Sequence, residues 1–446
     1  MGKADLIAAV ATAAGKGAVG VVRISGPDLV ELFQPLLGRS PVARAAVLTD
    51  FLDAAGDAID RGLAIYFPAP NSYTGDDILE LQGHGGATVL NALLRRCLEL
   101  GARVAEPGEF TQRAFLNGKI DLAQAESIAD LIEARSEAAA RSAMRSLKGE
   151  FSLRIHALVD ELVALRMRVE ACIDFPEEGI EHLLPDQLAE RIRDLLGGVD
   201  AIRGVARQGN LLRDGARVVL AGRPNVGKSS LLNKLAGEDL AIVTELPGTT
   251  RDVLRQDLCL EGVPIQVLDT AGLRETVDPV EQLGVARARK ALEGADLALV
   301  VTDATTGITD DDLRIIQELP QGLPLLVVVN KIDLAAIVPA PPNSLGLREV
   351  QISALYGQGT DALRAEILAQ IGWEGAADGV FLARTRHLSA IQRASVHLET
   401  ALGHVGAFEL LAEELRLAQQ ALGEVTGAFS ADDLLREIFS RFCIGK

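Results

Sequence analysis

The sequence predicts a multidomain protein: an α+β N-terminal domain, then an α-helical domain split into two sequence pieces by an inserted α/β domain. Three observations carry this prediction. At 446 residues the chain exceeds one ordinary core, since domains run to roughly 100–200 residues. Its hydrophobic period changes along the chain, from strand-like runs to a helical stripe, then to strand–helix alternation, then back to a helical stripe. Its 48% hydrophobic and 24% charged residues are a globular balance.

In residues 1–118 the runs "VGVVRIS", "GLAIYF" and "DILELQ" are separated by Gly, Pro and Asn, with one helix expected from Ala87 to Leu100. The start, "MGKADLIAAVATAAGKGAVGVVRISGP", has the basic and small apolar residues of a signal peptide. Asp5 and the Gly-rich, charged residues that follow favour an N-terminal strand instead. Residues 119–213 read as helical. Ile155, Leu158, Leu162, Leu165 and Val169 fall three and four apart, as do Leu188, Ile192, Leu195, Val199 and Ile202.

From 214 to 372, "RVVLAG", "IQVLD", "LALVVTD", "LLVVVNK" and "EVQIS" alternate with helical segments, as in a parallel sheet covered by helices. The helical stripe returns in 373–446 with Leu411, Leu415, Ala418, Leu422 and Val425. Two unrelated helical domains would fit the same period, but one domain in two pieces is simpler. The Pro-rich "VPAPPNS" reads as a surface loop.

No apolar run approaches the roughly 18 residues of a membrane span. The four cysteines, Cys97, Cys172, Cys259 and Cys443, form no C-x-x-C pair. A soluble, cytoplasmic protein is expected, with neither a disulfide framework nor a zinc site. The net charge of −18 argues against broad nucleic-acid binding, which needs surplus Lys and Arg. An RNA partner would have to meet one local face or a second protein.

"GRPNVGKS", Gly222 to Ser229, fits G-x-x-x-x-G-K-[ST] between a strand and a helix. Its glycines let backbone N–H groups wrap phosphates, Lys228 brings positive charge to the β and γ oxygens, and the Ser229 hydroxyl suits Mg²⁺. "DTAG", Asp269 to Gly272, ends a strand, so Asp269 can approach the metal and the Gly272 N–H the γ-phosphate. "NKID", Asn330 to Asp333, ends another, and the Asp333 carboxylate can accept from guanine N1–H and its 2-amino group. In "SAL", Ser353 to Leu355, the Ala354 N–H can donate to guanine O6. Four motifs at strand C-terminal ends, where α/β sheets bind ligands, point to a P-loop GTPase domain.

"TELPGTTRD", Thr244 to Asp252, supplies a switch loop with Thr249 and Thr250 as metal-closing candidates. The position after DTAG, often a water-orienting glutamine, is Leu273, which cannot orient water. Glu275, Asp278 and Glu281 are the carboxylates available for that task.

"GRPNVGKSSLLN", "PGTTRD" and "DTAGLRET", with "LELQGHGG" and "FLNGKIDLAQAE" before them and "FCIGK" at the end, resemble the MnmE (TrmE) family of tRNA modification GTPases over the whole chain. The resemblance implies a folate-binding-like N-terminal domain that forms a homodimer, and GTPase domains that pair when K⁺ is bound. It implies an FAD-dependent partner, MnmG, with which the family adds a carboxymethylaminomethyl or aminomethyl group to C5 of the wobble uridine of certain tRNAs. GTP would be held by Asn225, Val226, Gly227, Lys228, Ser229 and Ser230, and by the switch residues Thr244, Glu245, Leu246, Pro247, Gly248, Thr249 and Thr250. Asp269, Thr270, Ala271, Gly272, Asn330, Lys331, Asp333, Ser353, Ala354 and Leu355 complete that set.

By the same resemblance Mg²⁺ falls to Ser229 and Thr250, K⁺ to Asn225, Thr244, Leu246 and Thr249, and the water-orienting role to Glu281. A tetrahydrofolate derivative, 5-formyl or methylene, would meet Arg23, Glu80, Lys119 and Lys446, near a possible catalytic thiol at Cys443. From the residues alone, Arg23 and Glu80 read as strand positions and Lys119 as a helix-start charge. "ATAAGKGAVG" departs from the prolines and arginine more usual there, at the expected dimer face. The tail "CIGK" has C-a-a-X spacing, but a terminal Lys and the lack of a polybasic run count against lipidation. A ribosome-assembly GTPase would share the four motifs but add a basic RNA-binding domain. A stand-alone folate aminomethyltransferase would explain the N-terminal residues but not a partner enzyme.

Overall fold

The computed structural model describes residues 5–174, 185–238, 255–269, 294–335, 347–375, 379–428 and 432–445. The chain divides into two compact units, Met1–Ala129 with Leu422–Lys446, and Asp130–Ala421.

The first unit opens with β1 (Ile7–Val10) and β2 (Gly17–Gly26), so the N-terminal stretch forms strands as expected. Next come α1 (Val30–Leu37), β3 (Val47–Leu52), β4 (Ala58–Phe67), β5 (Asp77–Gly85), α2 (Ala87–Glu99), β6 (Arg103–Val104), α3 (Glu109–Leu116) and α4 (Leu122–Glu133). Among the described residues six strands form one sheet in the order β3-β4-β5-β2-β1-β6, antiparallel except where β1 meets β6. The strand period of two sorts the side chains. Ala8, Val22, Ile24, Leu79 and Leu81 face α1 and α2 in one cluster, while Ile7 and Ala9 pack on the other face with Ala105 and Phe110. Arg23, between Val22 and Ile24, is thereby turned to the Phe110 side.

The second unit continues with α5 (Glu137–Leu147), α6 (Glu150–Asp174) and α7 (Pro185–Asp214). Ser136 caps α5: its Oγ accepts from the Ala139 N–H at 3.1 Å. Every member of the two helical stripes read from the sequence is buried. Each such side chain removed from water contributes about 1.5–3 kcal/mol. Truncating the fully buried Leu162 to Ala would cost about 2–5 kcal/mol. α7 runs through four glycines, which ordinarily weaken a helix. Gly209 has a packing reason, because a Cβ there would overlap the Phe381 carbonyl.

The α/β part follows with β7 (Ala216–Ala221), α8 (Lys228–Glu238), β8 (Arg255–Leu260), β9 (Val263–Asp269), β10 (Leu297–Asp303), α9 (Asp310–Glu318), β11 (Leu325–Asn330), β12 (Arg348–Gln351) and α10 (Thr360–Gln370). The described strands form a sheet ordered β12-β11-β10-β7-β9-β8, parallel except for β8. The order reverses at β7, the first strand, so a crevice opens at its C-terminal end. α11 (Thr385–Leu402) and α12 (Phe408–Thr426) then follow. α11 packs against α7, with Arg203 donating to Gln392 Oε1 at 2.8 Å, so helices on both sides of the insertion pair with each other. Where the chain enters and leaves the insertion, Arg213 and Arg384 both donate to Asp130 Oδ1 at 2.8 Å. The chain rejoins the first unit, where Leu435, Ile438 and Phe439 of α13 (Asp432–Ser440) pack with Leu122 and Ala125. The expected loop "VPAPPNS" lies outside the described residues. Among the described residues no helix is long and apolar enough to cross a membrane.

Candidate functional site

The crevice at the end of β7 is built by a loop that few sequences can form. Gly222 has φ 141° and a Cβ there would overlap the Val301 carbonyl; Gly227 has φ 99° and a Cβ would overlap Asn330 Nδ2. Asn225 holds φ 64° without being glycine, a conformation Asn tolerates better than most. Lys228 opens α8 and folds its Nζ onto the loop, donating to the Gly222 carbonyl at 2.6 Å and the Arg223 carbonyl at 2.9 Å. Lys331 Nζ donates to the Asn225 carbonyl at 2.7 Å, and Asn330 Nδ2 to the Val226 carbonyl at 2.8 Å. With these carbonyls engaged, a helix N-terminus and a lysine make an anion-binding arrangement suited to phosphates.

The "NKID" and "SAL" segments meet at Asn330. Its Oδ1 accepts from the Ala354 N–H at 2.9 Å while its Nδ2 holds Val226, and both Asn330 and Ser353 are buried. The N–H expected to read guanine O6 is thus given to Asn330 here. Asp333, three residues on, is exposed, as are Asn225, Ser229, Ser230 and Leu355. Ser229 can offer a hydroxyl to Mg²⁺, a hard cation served by oxygen. The Asn225 backbone carbonyl accepts from Lys331, and its exposed side chain can offer an amide oxygen to a cation.

Asp303 belongs to this site although no motif named it. Its Oδ2 accepts from Lys331 Nζ at 2.7 Å and its Oδ1 from the Thr305 N–H at 2.9 Å. Burial alone would raise its pKa, but bonds from Lys331 and Thr305 outweigh that and hold it below the ordinary aspartate value. It ends β10 as Asp269 ends β9, so the rule that strand ends carry function could have found it. The backbone of Asp269 pairs with Leu220. The Asp269 side chain, Thr270, Ala271, Gly272, Leu273, Glu275, Asp278 and Glu281 lie outside the described residues, as do Thr244, Glu245, Leu246, Pro247, Gly248, Thr249, Thr250 and Lys446.

A second constellation sits in the first unit. Arg23 and Glu80 are cross-strand partners on β2 and β5, with Arg23 Nε donating to Glu80 Oε1 at 3.0 Å. The Arg23 guanidinium also lies 5.7 Å from the ring centroids of Tyr73 and Phe110, and donates to the Gly445 carbonyl at 3.4 Å. The tail reaches it because Ile444 bridges to Pro107 and Gly445 packs where a Cβ would crowd the Val10 carbonyl. Cys443 is exposed and its carbonyl accepts from the Gly108 N–H at 3.4 Å. Lys119, in a bend before α4, donates to the Pro70 carbonyl at 2.9 Å.

An aromatic-lined cation beside a carboxylate fits a flat heterocycle with N–H donors and an acidic tail. Tyr73 and Phe110 were not singled out from the sequence. Tyr73 stands between Asn71 and Gly75 in the loop before β5, and only the fold brings it together with Arg23. Burial pushes the Tyr73 hydroxyl pKa upward, against its bond to Thr111 and the nearby Arg23 charge.

Residues 122–443 match the MnmE helical domain family, and residues 6–119 match the GTP-binding protein TrmE N-terminus family. The chain is 55% identical over 441 residues to the tRNA modification GTPase MnmE of Chromobacterium violaceum, covering 99% of this chain and 98% of that protein. It is 57% identical over 442 residues to the tRNA modification GTPase MnmE of Thiobacillus denitrificans, with the same coverage of 99% and 98%. Among solved structures, a point variant of Aquifex aeolicus Era bound to GDP.AlF4- is 33% identical, covering 41% of this chain and 66% of that chain with a TM-score of 0.30.

Proposed function

Because this chain belongs to the MnmE family of tRNA modification GTPases, we propose that its GTP hydrolysis is potassium-stimulated and serves modification of the wobble uridine of certain tRNAs. The reaction adds a carboxymethylaminomethyl or aminomethyl group to C5, together with the FAD-dependent partner MnmG, in the cytoplasm. The observation that carries the nucleotide part is Asn330, which hydrogen-bonds Val226 of the phosphate loop and Ala354 of the "SAL" segment at once. The tRNA part rests on the full-length relatives named tRNA modification GTPases.

Lys228 meets the β and γ oxygens of GTP, and Asp333 accepts from the guanine edge. Glu281 orients the attacking water, the role Leu273 cannot fill. Ser229 and Thr250 hold Mg²⁺, while Asn225, Thr244, Leu246 and Thr249 hold K⁺. When bound, these cations neutralise negative charge that grows on the phosphates as the γ-phosphoryl group transfers to water. Residues 214–372 act as the GTPase domain, pairing across a homodimer formed through residues 1–118, with 119–213 and 373–446 as the two helical pieces.

Arg23, Glu80, Lys119 and Lys446 hold a tetrahydrofolate derivative, which supplies a one-carbon unit when bound. Support for this comes from Arg23 standing against Glu80, Tyr73 and Phe110 beside the C-terminal tail that carries Cys443. The deciding experiment is nucleoside analysis of tRNA from cells lacking this gene. Loss of the modified wobble uridine is expected, and unaltered tRNA would refute the reading.

A further inference from the structure

The second residue of the phosphate loop, Arg223, does not belong to the residues assigned to the nucleotide, yet its side chain is held firmly. Its Nε donates to Asp312 Oδ1 at 3.0 Å and its Nη2 to Thr306 Oγ1 at 3.0 Å. Asp312 is fully buried, a costly place for a carboxylate unless every oxygen is used. Both are: Oδ2 accepts from the Thr309 N–H at 2.9 Å and from Thr309 Oγ1 at 2.7 Å, closing the capping box at the start of α9. One carboxylate therefore ties the cap of α9 to the phosphate loop.

The connection from β10 to α9 reaches the same loop by a second route, since Asp303 holds Lys331 and Lys331 holds the Asn225 carbonyl. Two chains of bonds from one connection grip the loop at Arg223 and at Asn225. Arg223 also precedes Pro224, which restricts its backbone to extended conformations, and its carbonyl accepts from Lys228. With its backbone restricted and its side chain anchored, the 222–225 peptides cannot turn without breaking a charge-assisted bond to a buried group.

We propose that Arg223 is a positioning residue for nucleotide binding: anchored by Asp312 and Thr306, it sets the phosphate loop in its binding shape before GTP arrives. The consequence lies in affinity, because an unanchored loop must be ordered by the nucleotide itself. The inference rests on the GTP-binding reading of this loop, and the wild-type measurement separates the two: no GTP binding by the wild type would sink that reading first.

The test uses the full chain, a fluorescent GDP and a fluorescent GTP analogue, with dissociation followed by stopped flow and steady-state hydrolysis in parallel. Arg223→Ala should weaken binding about tenfold, through faster dissociation, with turnover at saturating GTP within about twofold of wild type. Arg223→Lys should fall between, since one ammonium cannot span Asp312 and Thr306 together. Thr306→Ala should give a smaller loss, about threefold. Arg314→Ala, which removes an exposed pair with Asp311 on the same helix, should change nothing.

A role confined to stability would lower the melting temperature without moving dissociation well below it, and that result overturns the proposal. Unchanged dissociation in folded Arg223→Ala, or a fall in turnover with affinity intact, does so too. If Arg223→Ala does not fold, Thr306→Ala decides, and wild-type dissociation there overturns the proposal.

Discussion

Asn330 Nδ2 donates to the Val226 carbonyl at 2.8 Å, so the "NKID" segment is fastened to the glycine loop that follows β7. Gly227 lets this happen. Its φ of 99° is strained for any L side chain, and a Cβ would overlap the donating nitrogen. Gly227→Ala should therefore weaken GTP binding by more than about tenfold, beyond the loss of one hydrogen bond. Wild-type affinity in a fluorescent-nucleotide titration would show that the contact is dispensable.

Asp333 should decide which base is accepted. As a carboxylate it takes two donors from guanine; as an amide it offers one donor and one acceptor, matching xanthine instead. Asp333→Asn is expected to lose at least about tenfold in GTP affinity and to gain for xanthosine triphosphate, measured by competition. An unchanged order of preference would remove Asp333 from base reading.

Hydrolysis should depend on K⁺ and on Glu281 in separable ways. Turnover in KCl should exceed that in NaCl, and Asn225→Ala should abolish the difference. Glu281→Ala should reduce turnover by about a hundredfold or more with nucleotide affinity nearly kept, as loss of a water-orienting group predicts. Equal loss of affinity and turnover would assign Glu281 a structural role.

The first unit should be acid-sensitive through Glu109. Burial opposes ionisation of its carboxyl, but bonds from Arg103 at 2.8 Å, the Glu106 N–H at 2.8 Å and Arg113 at 3.0 Å outweigh it. Its folded pKa thus lies below the ordinary 4.5. A depressed folded pKa adds stability above the unfolded value, and that stability is lost as pH falls through the folded one. The melting temperature should drop as pH falls below 4.5, and Glu109→Gln should flatten that slope. An equally steep slope in the variant would place the acid-sensitive group elsewhere.

The cysteines should separate by reactivity. Burial pushes the fully buried Cys97 thiol up to about 12, so it holds almost no thiolate at pH 8. Cys443 is exposed. Alkylation of the native protein followed by mass spectrometry should label Cys443 readily and Cys97 only after unfolding. Labelling of native Cys97 would contradict its burial, and tRNA modification by Cys443→Ser tests whether the exposed thiol does chemistry.

Period and spacing made the helical stripes, the helix over Ala87–Glu99 and the glycine loop readable from the residues alone, whereas α1 and α3, outside the one helix expected in residues 1–118, appear only in the fold. Stripes such as Leu158, Leu162 and Leu165 were legible because a helical period exposes or buries each residue by its spacing alone. The loop was legible because Gly222, Gly227 and Lys228 must stand at fixed spacing after a strand. Tertiary structure decided what period and spacing do not encode, namely which distant side chains meet. Arg23 faces Glu80, Tyr73 and Phe110 because strand register and a returning tail bring them together. Asp312 reaches Arg223, 89 residues away in the chain, because β7 and β10 are parallel neighbours in one sheet. Such pairs are set by the order in which strands assemble, a property of the whole packed sheet rather than of any local stretch.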